Sequence, residues 1–129
     1  MQREYPEEEA LTRFFGAQPI LADEDCPWYF NTLSYSACNG SAQVVCTLKP
    51  FHGILNVQVF DMGKDLTAFT LSNISKISIA HSNNLPTMTI EFPQELKICP
   101  VYFQLRPKIK ICRESPVCQT QVNPIPSVD

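Results

Sequence analysis

Along most of this chain, apolar residues recur at every second position. Val44, Cys46 and Leu48 alternate with Gln43 and Thr47, and Leu55, Val57 and Val59 with Asn56 and Gln58. The same pattern runs through Thr67, Phe69 and Leu71, through Ile77 and Ile79, and through Met88, Ile90 and Phe92. It ends with Val101, Phe103 and Leu105, then Ile109 and Ile111. A period of two places one face of a strand against a core and the other in water. Turn formers separate the segments: Lys49-Pro50, Asp61-Met62-Gly63, Ser72-Asn73, Ser82-Asn83-Asn84 and Phe92-Pro93. These links are too short for helical crossovers, so the strands are expected to be antiparallel. Strands recurring roughly every ten residues predict an all-β sandwich or barrel.

The 129 residues suit one domain with a real core. Three regions are expected: an N-terminal arm over 1–22, a β-sandwich over 23–112 and a Pro-rich extended tail over 113–129. Within the arm, Pro6 followed by Glu7, Glu8 and Glu9 suits a helix start. Leu11, Phe14 and Phe15 would be its apolar face, and a flexible arm is the alternative.

Six cysteines add a second constraint: Cys26, Cys38, Cys46, Cys99, Cys112 and Cys118. An even set flanking a cysteine-free middle reads as a disulfide framework, which requires an oxidising compartment. The Asn39-Gly40-Ser41 and Asn73-Ile74-Ser75 sequons point the same way, with Asn39 and Asn73 as glycosylation sites. No apolar leader follows Met1, which is read as a secretion signal already removed. The expected location is therefore extracellular or the lumen of the endoplasmic reticulum. Sequence alone does not choose the pairing. Cys46 lies in register with Val44 and Leu48, and Cys99 with Val101 and Phe103. Their separation resembles the inter-sheet bridge of an immunoglobulin-like sandwich. Lys97 stands where a corner Tyr would precede Cys99 in an antibody domain.

Chemistry-bearing constellations are sparse. The two histidines, His52 and His81, fall in separate predicted segments, and a hydrolytic triad needs its members to converge. Cys99, Cys112 and Cys118 with His81 lack the close knuckle spacing of structural zinc sites. Four glycines supply neither a GxGxxG nor a GxxxxGK[ST] loop. A net charge of −3 disfavours nucleic acid. No segment approaches the length of a membrane helix. The chain is thus expected to be no enzyme and to hold no cofactor and no metal. It is expected to bind protein, with no nucleic acid and no direct membrane insertion, and its free strand edges allow a homodimer. The basic stretch with Arg106, Lys108 and Lys110 is the first candidate partner-binding patch. Trp28, Tyr29 and Phe30 read either as packing on a disulfide or as an exposed recognition patch.

The run Gln18-Pro19-Ile20-Leu21-Ala22-Asp23-Glu24-Asp25-Cys26-Pro27-Trp28-Tyr29-Phe30 resembles the segment before the first core strand in the small immunoglobulin-like accessory proteins of coronaviruses. Cys99-Pro100-Val101-Tyr102-Phe103-Gln104-Leu105-Arg106 is similar to a late strand in another member of that group. The resemblance implies a viral protein of the secretory pathway, a disulfide-bonded sandwich that binds host immune or cell-surface proteins and modulates immunity. It implies Cys26, Cys46 and Cys99 as disulfide partners. Two other expectations share the same strands: an ectodomain fragment of a larger glycoprotein, and a β-sandwich that carries lipid.

Overall fold

A computed structural model describes residues 3–82 and 85–113. Among these residues lie one α-helix, α1 (Glu8–Phe15), and nine strands. The first sheet is β1 (Ile20–Leu21), β2 (Leu33–Asn39), β3 (Ala42–Lys49), β4 (Ile54–Asp61) and β5 (Lys64–Leu71), in that spatial order. The second is β6 (Lys76–Ser82), β7 (Leu85–Glu91), β8 (Val101–Gln104) and β9 (Lys110–Cys112), again in order. Every pairing between these strands is antiparallel. The all-β antiparallel architecture is therefore as the alternation predicts.

The immunoglobulin-like topology is not found. Immunoglobulin sheets mix strands distant in sequence, through Greek-key connections. Here each sheet is a meander of consecutive strands; at β2–β3 and β4–β5 a two-residue turn returns the chain directly to its neighbour. At Asp61-Met62-Gly63-Lys64 both central residues take positive φ, 53° and 79°. That backbone twist matches the twist of the flanking strands. At the β2–β3 hairpin, Asn39 pairs with Ala42 and Gly40 takes a φ of 65°.

Inward residues of both sheets belong to one cluster. Leu33, Tyr35, Val44, Cys46, Leu48, Leu55, Val57 and Val59 come from the first sheet, and Ile77, Met88, Ile90, Val101, Phe103 and Ile111 from the second. On β5 the alternation weakens. Leu71 is buried and Phe69 half-buried, but Thr67 is exposed, as are both faces of the strand from Lys64 to Ala68. That end of the β4–β5 hairpin runs past the core.

Helix α1 closes the cluster. Glu8 and Glu9 in its first turn and Arg13 in its last favour the helix dipole. Gly16, at φ 75°, ends it by donating its N–H to Thr12 O at 2.8 Å. Leu11, Phe14 and Phe15 share one face and are buried, and the helix contacts β2 and β6. Phe15 stacks on Tyr35 with ring centroids 4.7 Å apart and planes 17° from parallel.

The disulfide framework is corrected. No disulfide is found among the described residues, and Cys118 lies outside them, as does the tail from 114 to 129. The cysteines point in different directions. Cys46 is fully buried on the core face of β3, and Cys38 is exposed on β2. Cys99 is exposed ahead of β8 and not inward with Val101 and Phe103, while Cys26 sits in the turn before Trp28. Burial pushes the Cys46 thiol up to about 12, so it stays protonated and unreactive. Alkylation of the native protein should label Cys38 and Cys99 rapidly and Cys46 only after unfolding. Peptide mass mapping checks this, and a Cys46–Cys99 bridge would contradict it.

Candidate functional site

Two loops meet at one end of the first sheet. One is the stretch from Asp23 to Asn31, which includes a 3₁₀ turn, Trp28–Phe30; the other joins β3 to β4 through Pro50–Gly53. The Phe51 N–H donates to Tyr29 O at 3.0 Å and stitches them together.

The first loop is organised by Asn31, which is buried. Its Oδ1 accepts from the backbone N–H groups of Asp23 (3.2 Å) and Thr32 (2.9 Å). Its Nδ2 donates to Asp23 O (2.7 Å) and Cys26 O (3.0 Å). Asp23 Oδ1 in turn accepts from the Asp25 N–H at 3.0 Å. One side-chain amide therefore fixes the acidic run Asp23-Glu24-Asp25, all exposed, beside the aromatic run that follows it.

The second loop is held from the N-terminal segment. Arg3 donates to Ile74 O and Phe51 O, each at 3.1 Å, and the Tyr5 hydroxyl donates to Pro50 O at 2.6 Å. Gly53, at φ 65°, lies against this strap. A Cβ there would run into Arg3 Nε and meet Ile74 O at 3.0 Å, so only glycine fits without displacement. Burial pushes the Tyr5 phenol up to about 12; the Arg3 charge opposes the rise and Tyr29 adds to it.

On this frame stands a connected set of rings. Tyr5 meets Trp28 edge-on at 5.9 Å and Tyr29 at 6.1 Å. Tyr29 meets Phe30 at 5.3 Å and Phe51 at 5.9 Å, and Phe30 meets Phe51 at 5.2 Å. His52 packs on Phe51 at 5.3 Å. Tyr5, Trp28 and Tyr29 are half-buried, whereas Phe30 is 60% exposed and Phe51 49%. Large aromatics held in water by a rigid base are what a binding hot spot requires. Trp28 packs on the core and on Tyr5, not on a disulfide. Its indole N–H and the Tyr35 hydroxyl are buried without a well-formed hydrogen bond. Burial raises the Tyr35 phenol, the nearby Trp28 indole opposes this, and the Glu8 carboxylate adds to it.

The residues singled out from sequence are dispersed. Arg106 is exposed and donates to Phe14 O at 3.3 Å, at the negative end of α1, tying the β8–β9 link to the helix. Lys108 and Lys110 line a cavity of about 330 Å³ with Leu85, Gln104 and Pro107. Asn39 donates both amide hydrogens, to Leu105 O at 2.9 Å and to Pro107 O, and so pins the first sheet to the second. A side chain engaged in this way fits a structural tie and not the glycan site expected of it. Asn73 is exposed in a turn at φ 59°. His52 belongs to the aromatic patch, whereas His81, on β6, lines a separate cavity of about 200 Å³ with Arg13 and Phe14. Among the described residues no group of three or more His, Cys, Asp or Glu is placed to hold a metal.

No protein-family model matches the sequence, and no curated protein matches it. In fold it is similar to a chain of the contact-dependent growth inhibition toxin–immunity protein complex from Klebsiella pneumoniae 342. The TM-score is 0.72 at 20% identity, over 84% of this chain and 93% of that one. This bacterial neighbour overturns the expectation of a secreted immunoglobulin-like binder or viral accessory protein, and nothing supports the glycoprotein reading.

Asn31→Ala removes four hydrogen bonds and leaves part-buried backbone groups unpaired, so it should cost about 2 kcal/mol in urea unfolding. Limited proteolysis should then cut first between 23 and 31. Tyr5 gives a test by pH. Its folded pKa is raised above the ordinary 10.0, so its contribution is complete below pH 10 and is lost as pH rises towards 12. Tyr5→Phe should therefore be less stable near neutrality, and should lose less further stability than the wild type across that window.

Proposed function

We propose that this chain is a non-enzymatic protein-binding module of the immunity type, one that acts by covering a toxin protein with the Phe30–Phe51 face. The carrying observation is the exposed aromatic pair, held in place from below by Tyr5, Trp28 and Tyr29 and from the sides by Arg3 and Asn31. Binding energy concentrates on such pre-ordered aromatic anchors, because little conformational freedom is lost when they dock. The similarity in fold to a member of a toxin–immunity complex supports the kind of partner proposed. The acid-rich flanks of the patch favour association with a partner of opposite charge.

Co-production with toxin candidates from the source organism tests the proposal. The wild-type chain should restore growth against one of them and co-purify with it. Phe30→Ser with Phe51→Ser should keep the fold and weaken that complex by about a hundredfold, on the order of the cost of one or two hot-spot residues. Undiminished protection by the double variant would show that the patch is not the binding face.

A further inference from the structure

The cavity of about 200 Å³ that His81 lines lies at the seam between α1 and the β6–β7 hairpin. Ala10, Phe14, Ile79 and Pro86 supply its apolar lining, and Arg13 and His81 its polar lining. We propose that this cavity is a second docking site, separate from the aromatic patch. Its occupant is a segment of a partner protein in which a large apolar residue stands beside a carboxylate.

Size and construction select a single side chain. Pockets for whole small molecules start at about 300 Å³, and this one is smaller. Its lining comes from regular elements. Phe14 is buried on α1, Ile79 packs against the core from β6, and Pro86 stands opposite His81 in the β6–β7 register. A site already formed takes an apolar anchor with little loss of freedom on its own side.

Charge selects the neighbour of that anchor. Among the described residues, neither the Arg13 guanidinium nor the His81 imidazole makes a hydrogen bond or an ion pair. Arg13 carries a fixed charge, and the imidazole has an N–H to donate in either protonation state. Arg106 adds a second fixed charge at the Phe14 carbonyl, so the two arginines outweigh the roughly half negative charge at the end of α1. Acids nearby leave this unanswered. Glu8 and Glu9 stand in the first turn of α1. The one acid of β6 and β7, Glu91, is opposite Lys76, at the other end of the hairpin from His81 and Pro86. The surface that complements this seam is apolar at its centre and acidic beside it.

Nuclear magnetic resonance titration with acetyl-Glu-Phe-Glu-amide tests the proposal, read from the His81 ring and the Ile79 methyl signals. Both should shift saturably, and acetyl-Gln-Phe-Gln-amide and acetyl-Glu-Ala-Glu-amide should each bind more weakly. Arg13→Gln keeps a good helix former in place and should weaken binding by about fivefold, the upper end for one exposed ion pair. Lys76→Gln removes a cation from the other end of the same strand and should leave binding unchanged, as should Phe30→Ser with Phe51→Ser. No saturable shift at His81, equal binding of the Gln peptide, or equal weakening by Lys76→Gln would overturn the proposal. Loss of binding in the Phe30/Phe51 variant would place the peptide on the aromatic patch and overturn it too. Phenylacetate binding as tightly as the peptide would assign the cavity to free carboxylates instead.

Discussion

Each meander can bury only one of its faces, and neither can do so without the other. That requirement governs the molecule. Inward rows of both sheets merge into one cluster, and α1 covers the part that the sheets leave open, with Phe15 stacked on Tyr35. The two sheets are also tied by directed bonds at their margins. Asn39 reaches from the β2–β3 hairpin to the β8–β9 link, and Arg106 reaches from that link to the end of the helix. Non-directional burial supplies the cohesion, and a few hydrogen bonds across the gap fix how the layers sit.

The same division of labour builds the candidate site. Its rings are exposed, so burial cannot hold them, and the bonds of Arg3, Tyr5 and Asn31 to loop backbone do so instead. The N-terminal segment is therefore part of the recognition face as well as a cover. Glu4 makes this explicit: it bridges Lys76 in parallel, its N–H donating to Ser75 O and its carbonyl accepting from the Ile77 N–H.

Alternation revealed the strands because it is a local signal. Leu33-Ser34-Tyr35-Ser36-Ala37 carries it as clearly as β3, and Asn39-Gly40-Ser41, which the sequence offers as a sequon, is the hairpin turn between the two strands. Sheet topology was out of reach of periodicity, since the same alternating strands build Greek keys and meanders alike. The cysteine count misled because number carries no direction. Cys46 faces the core while Cys38 and Cys99 face water, and only the backbone path decides that. The site was half visible. Trp28, Tyr29 and Phe30 stand out as a run, but their partners Tyr5 and Phe51 lie more than twenty residues away on either side. Arg106 drew attention for its charge, and its bond to a helix carbonyl could be seen only in three dimensions.

The sheet margins are unequal. β1 and β9 are too short to template another chain, and the Glu4 bridge occupies the outer side of β6. β5 is a long outer strand, with Leu66 in water and, among the described residues, no strand paired beyond it. An open margin of that length is where protein chains fuse into larger assemblies. Lys64 and Asp65 place charges at its start, which discourages stacking of like on like. Colloidal behaviour at high concentration is thus set by the far side of the first sheet, away from the loops that carry the aromatic patch.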